Sequence, residues 1–391
     1  MTSRTRVRPS TSTRIVGIDV ARCVALVGMI ATHVLPVRAA DGTLGLAHEL
    51  AGGRASALFA VLAGTSLALM SGGEQPVRGV ERGTVTIGLA VRALLIAVIG
   101  ALLGQLTTTI AIILTYYGVL FLLALPFLGL RRNTLAALGA AWLVVVPVLS
   151  HLLRPHLPPR GFGSPRLDSF VYPWQALTEL TFTGYYPAVP WLGYLLVGMA
   201  IGRSDLRRRR TAVVVLVSGA VLAATSWLAS EWLLRQPGTT RALLGSAPDP
   251  GMSAEQLGRR LEESMFGTTP TGSWWWLAVH AQHSGTPFDL LHTTGTAMFV
   301  LGLCLLLGRL WPRTTAAVFG AGTMTLTLYT LHVVLRTPPF LPDHDALTFA
   351  WHVVIVLATG AVFVLMAWRG PLEAMATHLA KPTATRARGQ H

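Results

Sequence analysis

Apolar runs recur along the whole chain, broken by short polar turns and by two longer polar stretches. A helix needs about 20 residues to cross the hydrocarbon core of a bilayer at about 1.5 Å rise per residue. The runs predict ten such helices, over 15–37, 52–70, 84–103, 107–129, 134–150, 187–202, 211–230, 288–308, 315–336 and 346–368, of which the sixth is short for a full span. Arginines test that count. Arg4, Arg6, Arg8 and Arg14 precede the first helix, Arg78 and Arg82 lie between the second and third, and Arg131 and Arg132 between the fourth and fifth. The run "RSDLRRRR" separates the sixth from the seventh, Arg309 and Arg313 the eighth from the ninth, and Arg369 follows the tenth. Every second junction is basic, so the positive-inside rule puts both termini in the cytoplasm.

The expected fold class is therefore all-α, a polytopic protein of the plasma (inner) membrane with about ten transmembrane helices. Residues 1–14 and 371–391 read as cytoplasmic tails. Residues 15–370 read as one transmembrane domain with outer loops 38–51, 151–186 and 231–287. The first helix lacks a small-residue cleavage site and is long for a signal segment, so it reads as a retained span. Composition agrees: 52% of the residues are hydrophobic and only 12% charged, outside the soluble norm.

A net charge of +14 would suit a nucleic-acid binder, but the arginines fall at the turns, where topology accounts for them. That excludes nucleic acid and leaves anionic membrane lipids, or a polyanion such as a coenzyme phosphate, as partners for the remainder. Cys23 and Cys304 fall inside predicted helices and read as core packing. In the third outer loop, "SAEQLGRRLEESMF" predicts a surface helix with a Ser253–Gln256 capping box. "GSWWWLAVHAQHSG" is too short to span, so it lies in the interface or dips back into the protein.

Ten of the twelve histidines map to one end of this bundle; only His378 and His391 fall in the cytoplasmic tail. A polar ring within or beside a membrane helix needs a partner, which singles out His33, His292 and His332, and His280 if its segment is re-entrant. No metal is expected, because His280 and His283 stand i,i+3 without an HxxxH or HExxH motif. There is no GxSxG elbow, Walker loop or dinucleotide fingerprint, so serine hydrolysis, ATP-driven work and Rossmann cofactors gain no support.

The first helix, "RIVGIDVARCVALVGMIATH", carries the sharpest signal. At about 100° per residue Asp19 and Arg22 are about 60° apart, and Arg22 and His33 only about 20°. All three share a face, with Arg22 and His33 separated by about 16 Å along the axis. An Asp and an Arg that only fix helix depth are the plain alternative. In the third helix Arg92 is an intrahelical counter-ion, a phosphate ligand or an anchor, and the fourth carries "TYYG".

The segment "DVARCVALVGMIATH" resembles the opening helix of the bacterial relatives of heparan-alpha-glucosaminide N-acetyltransferase, and its Arg22 to His33 interval matches the arginine, ten residues, histidine motif of the wider acyltransferase-3 proteins. "LFAVLAGTSLAL", "ILTYYGVLFLLALPFLGLRR", "YPAVPWLGYLLVGMAIGR", "HSGTPFDLLHTTGTAMFVLGLCLLL", "GAGTMTLTLYTLHVVL" and "WRGPLEAM" continue the resemblance in order. It implies a transmembrane acyltransferase. An acetyl or other short acyl group would move from cytoplasmic acyl-CoA, used as donor with no tightly bound cofactor, to an amine or hydroxyl of an extracytoplasmic glycan or lipid-linked sugar. In the glucosaminide enzyme the catalytic histidine lies in the first outer loop, which points to His48; in acyltransferase-3 proteins the histidine ending the motif is essential, which points to His33.

The candidates are then His48, His33 and Asp19 for catalysis, and Arg22, Arg92 and Tyr116 for holding the coenzyme. His280, His292, Tyr329 and His332 are candidates for substrate or oxyanion contact. A direct ternary transfer and an acyl-histidine intermediate are both compatible with this set. The usual Arg-Gly pair is Arg22-Cys23 here, and the aspartate that commonly enters the second helix is absent from "GGRASALF". A transporter or flippase, or an envelope-precursor-binding protein without catalysis, would carry the same buried charges, and a homodimer is compatible with each.

Overall fold

The structure, a computed structural model, describes residues 14–161 and 163–380. The N-terminal Arg4, Arg6 and Arg8 and the last residues of the expected C-terminal tail lie outside them. The described chain is all-α. Its principal helices are α1 (Val16–Val34), α2 (Arg54–Met70), α3 (Gly79–Leu103), α4 (Leu114–Ala124), α5 (Arg132–Leu153), α6 (Ala188–Gly202), α7 (Arg209–Leu234), α8 (Pro287–Leu307), α9 (Thr325–Leu335) and α10 (Ala346–Leu365). Among the described residues seven helices are long and apolar enough to cross a membrane: α1, α2 with the turn before it, α3, α5, α7, α8 and α10. The chain is thus a polytopic membrane protein, and α4, α6 and α9 are shorter apolar helices set among the long ones.

Helix ends follow from local sequence. Thr286 caps α8, accepting from the Asp289 amide at 3.1 Å, with Pro287 in the first turn. Asp345 caps α10 through the Thr348 amide at 2.6 Å. The surface helix of the third loop forms over Ala254–Glu262, and Ser253 and Gln256 close the reciprocal capping box at 3.2 and 2.8 Å. At the basic end, buried Arg203 donates to the carbonyls of Ala68, Ser71, Gly73 and Leu128 and to Ser71 Oγ. It satisfies the carbonyls left open where α2 stops. The first arginine of "RSDLRRRR" is therefore a structural clamp as well as a topological signal.

Packing is close because small residues let backbones meet, the usual solution where lipid supplies no hydrophobic drive between helices. The α7–α8 pair meets at Gly219, Gly295 and Gly302, and α6 is almost wholly buried between α2 and α5. Helix α1 runs through the middle, against α2, α8, α10 and the segment before α9. Cys23 and Cys304 are buried free thiols where α1 meets α8. Above one end, loop residues Leu243, Leu257, Met265, Trp276, Val279 and Ala281 build a small core of their own. Trp276 is fully buried there, its Nε1 donating to Ser246 Oγ at 2.9 Å, while Trp274 of the same stretch stays exposed.

Two expected helices are redrawn. Residues 107–113 are not helical; α4 starts at Leu114, and Ser164 Oγ holds the preceding strand of chain at the Ile112 amide and the Ile110 carbonyl. The expected helix 315–336 is broken into Pro312–Val318, a 3-10 turn Gly320–Thr323 and α9. The turn is pressed between the α1 backbone at Asp19 and the α10 backbone at Gly360, where a Cβ on Gly322 would collide with the Asp19 carbonyl. Continuous helix cannot be laid through that space. Gly322→Val is therefore expected to lower stability by about 1–3 kcal/mol or more, the range for overpacking, read as a lower thermal unfolding midpoint in detergent. An unchanged midpoint would mean the contact is slack.

Candidate active site

The two ends of the bundle differ in chemistry. Arg78, Arg82, Arg131, Arg132, Arg203 and Arg309 gather at turns of one end, the arginine end; the loops bearing His48, His283 and His344 cover the other, the histidine end. Helix α1 runs from the first to the second.

Near its start the Asp19 carboxylate, only 6% exposed, receives Arg14 Nε at 2.5 Å and lies 3.6 Å from Arg22. The shorter partner of Arg22 is Ser66 Oγ on α2, at 2.5 Å. Burying an ionised group is tolerable only with such partners. Arg22 also lines a 160 Å³ cavity together with Arg92, Ser66, Glu373, Tyr117 and Tyr329. Arg92 has no hydrogen bond or ion pair among the described residues. Glu373, from the short helix Pro371–Leu379 after α10, is already engaged: Oε1 accepts from the Leu326 and Thr327 amides at 2.7 and 3.2 Å, and Oε2 from Thr327 Oγ1 at 2.6 Å. It caps the free amides created where the ninth helix breaks. Two guanidiniums against one carboxylate leave the cavity with cationic character. A volume near 160 Å³ is about that of a hole that holds one benzene ring, enough for the tip of a ligand arm but not a nucleotide.

At the other end of α1, His33 Nδ1 and His332 Nε2 share a hydrogen bond of 3.1 Å, with the rings nearly parallel. His352 on α10 stands edge-on to His332 with centroids 5.0 Å apart, and its Nδ1 donates to the Thr348 carbonyl at 2.8 Å. His332 and His352 are fully buried, whereas His33 lines a 360 Å³ cavity and its Nε2 has no hydrogen-bond partner among the described residues. His48 lines the same cavity; its Nε2 donates to the Leu35 carbonyl at 3.2 Å, which leaves Nδ1 as its lone-pair nitrogen.

The remaining candidates divide. Tyr329 faces the arginine-side cavity, and its hydroxyl oxygen accepts from the Ile113 amide at 3.4 Å, so its own proton is still available. Tyr116 lines neither cavity; its hydroxyl accepts from the Tyr185 amide at 3.3 Å and supports the second loop, while neighbouring Tyr117 lines the arginine-side cavity and donates to the Ser56 carbonyl. His280 and His292 also lie outside both cavities. His292 Nε2 accepts from Arg54 at 3.3 Å, its Nδ1 donates to the Ala223 carbonyl at 3.0 Å, and His280 binds Ser230 Oγ at 2.9 Å.

Sequence reasoning passed over several lining residues: Ser66, Tyr117 and Glu373 on one side, and Tyr185, Tyr186, Gln282, His283 and His344 on the other. The signals were "TGYYPAVPW" and "HAQHSG", whose aromatic and amide groups converge only after the loops fold. His283 stacks at an angle on Tyr185 and Tyr186 and parallel to Trp191, with φ of 52°, a backbone setting costly for a residue with a Cβ. Burial pushes its pKa down to about 4. His344 is likewise lowered, by burial and then by nearby Arg336.

A helical membrane protein with a cation-bearing cavity toward one face and a histidine-lined cavity toward the other has the parts of a group-transfer enzyme that works across a bilayer. The family model described as heparan-alpha-glucosaminide N-acetyltransferase, catalytic, matches residues 14–234, and the chain belongs to that family. No individual curated protein matches it. The matched region includes Asp19, Arg22, His33, His48, Arg92 and Tyr116; His280, His292, Tyr329 and His332 lie after it.

The low pKa of His283 has a sign. Its folded value, about 4, lies below the ~6.5 of a free imidazole, so the unfolded chain takes up a proton first. The stabilisation from the neutral ring is whole above about pH 6.5 and is lost as pH falls toward the folded value. His283→Gln is expected to flatten the fall in unfolding temperature between pH 7 and 4.5 relative to wild type. Equal slopes in both proteins would refute this.

Proposed function

We propose that the arginine-side cavity holds the acyl-bearing end of an acyl-CoA supplied from the cytoplasm, and that the histidine-side cavity holds an amine or hydroxyl of an extracytoplasmic glycan or lipid-linked sugar. Membership of the family makes the chain a transmembrane, acyl-CoA-dependent acyltransferase acting on an extracytoplasmic acceptor. The observation that carries the assignment of sides is one helix with Arg22 in one cavity and His33 in the other. On this reading there are ten crossings with both termini cytoplasmic, in the plasma membrane, and residues 15–370 act as one domain.

Arg22 and Arg92 bind the anionic or polar part of the coenzyme arm, supported by the absence of a partner for Arg92 among the described residues. Asp19 keeps Arg22 in place. His33 acts as base: with its Nδ1–H donated to His332, its Nε2 lone pair meets the acceptor, and His332 shares the charge that develops. His48, with Nδ1 open, orients the acceptor or takes over the base role. The Tyr329 hydroxyl donates to the thioester carbonyl as its oxygen gains charge. The acceptor's N–H or O–H proton passes to histidine, the new C–N or C–O bond forms, the C–S bond breaks, and the proton neutralises the coenzyme thiolate.

The test is transfer of labelled acetyl from acetyl-CoA on the arginine side of reconstituted vesicles to glycans on the other. His33→Ala is expected to lower kcat by about 10²–10⁴-fold, the usual loss for a general base, with folding retained, and His48→Ala by less. Arg92→Gln is expected to raise KM for acyl-CoA about tenfold, the worth of a charge-assisted hydrogen bond, with kcat little changed. Full activity in both histidine variants would sink the roles assigned to His33 and His48, and solute flux without acyl transfer would point to a transporter.

A further inference from the structure

Among the described residues, Met29 alone lines both cavities. It stands on the same helical line as Arg22 and His33. Seven residues from Arg22 turn the helix through about 700°, which returns Met29 to within about 20° of the arginine, and four more bring His33 about 40° further round. Along the axis it lies about 10 Å from Arg22 and about 6 Å from His33. It is an apolar side chain on a largely polar stripe, and it is only 7% exposed.

Around it the walls are fixed. Tyr117 is tied to the Ser56 carbonyl at 2.9 Å, Tyr329 to the Ile113 amide, and His33 to His332. Leu62, Ile96 and Ile113 fill the adjoining apolar wall. Met29 is by contrast unbranched, with three rotatable bonds and a thioether that packs well in several rotamers. The side chain shared by the two linings therefore stands between the arginine-side cavity and His33.

We propose that Met29 is the movable septum between the two cavities: it seals the coenzyme side from water on the acceptor side, and by the space it yields it restricts the transferred group to short acyl chains. The proposal rests on the acyltransferase reading above. When the side chain rotates aside, the thioester carbonyl meets the acceptor, the C–S bond is exchanged for a C–N or C–O bond, and the acceptor's proton ends on the coenzyme thiol. With the septum closed, water on the acceptor side is kept from the thioester.

Reconstituted full-length protein would be given acetyl-, butyryl- or hexanoyl-CoA on the arginine side and hydroxylamine, a small general acyl acceptor, on the other, with protein-free vesicles as background. Hydroxamate and free thiol are both measured. Met29→Ala is expected to raise the butyryl-to-acetyl ratio of kcat/KM about tenfold or more, since one methylene in an apolar pocket is worth about 10–200-fold, and to raise thiol release without hydroxylamine. Met29→Phe, which refills the space with a rigid ring, is expected to lower hydroxamate formation about tenfold or more from acetyl-CoA while acyl-CoA binding is kept. The Phe variant carries the test should the Ala variant fold poorly. Wild-type transfer with the same chain-length ratio, thiol leak and acetyl rate in the variants would overturn the role of Met29. Wild type that forms no hydroxamate from any donor would instead count against the acyltransferase reading.

Discussion

Everything in this bundle has to accommodate the charges of α1. A carboxylate and a guanidinium three residues apart, inside a helix surrounded by other helices, are tolerable only if each finds a fixed partner. Asp19 finds Arg14 and Arg22; Arg22 finds Ser66 on α2. Those bonds tie α1 to its neighbour at one depth and one rotation. Because a helix is rigid over such a length, fixing the polar start also fixes the far end, and His33 arrives beside His332 at hydrogen-bond distance. The two ends of the site are therefore set by the same ion pairs.

The break before α9 follows from the same centre. Gly322 brings the chain onto the α1 backbone at Asp19, and helix cannot continue there. A broken membrane helix leaves free amides at a depth where water is scarce, and those amides need an acceptor. Glu373 supplies both carboxylate oxygens to Leu326 and Thr327. One acid thus repairs the fault that the close approach created. Glu373 spends its hydrogen bonds on those amides and makes none to Arg92.

What could be read from the sequence is what depends on period and spacing. Apolar runs located all the principal helices, because membrane helices must be long and apolar whatever they pack against. The polar stripe Asp19, Arg22, His33 was visible because a helix face is an arithmetic property of positions. Two expected helices come out shortened or broken for a reason that period cannot carry. Residues 107–113, "TTTIAII", run into the apolar stretch of α4 but are held by Ser164, and "GAGT" is compatible with helix until α1 is laid beside it. The histidines show the same limit. Their location at one end was legible, but which ring faces a cavity depends on contacts hundreds of residues apart, such as Arg54 with His292 and His33 with His332. Adjacent tyrosines differ likewise: Tyr116 turns to the loop and Tyr117 to the cavity.

The shape of the site also bears on how an acyl group can cross at all. The coenzyme carries several phosphate charges, and moving even one charge to the middle of a bilayer costs at least about 2.5–3.5 kcal/mol and far more without local water. The uncharged thioester tip carries no such penalty. On the proposed reading, a cavity near 160 Å³ takes that tip and the nucleotide stays outside. The distance left to cover, about 16 Å from Arg22 to His33 by helical rise, is one that an extended arm can bridge. On that reading, two small cavities meeting at a single flexible side chain require only the short neutral portion of the donor to enter the apolar interior, so that the chemistry is done without transporting the coenzyme.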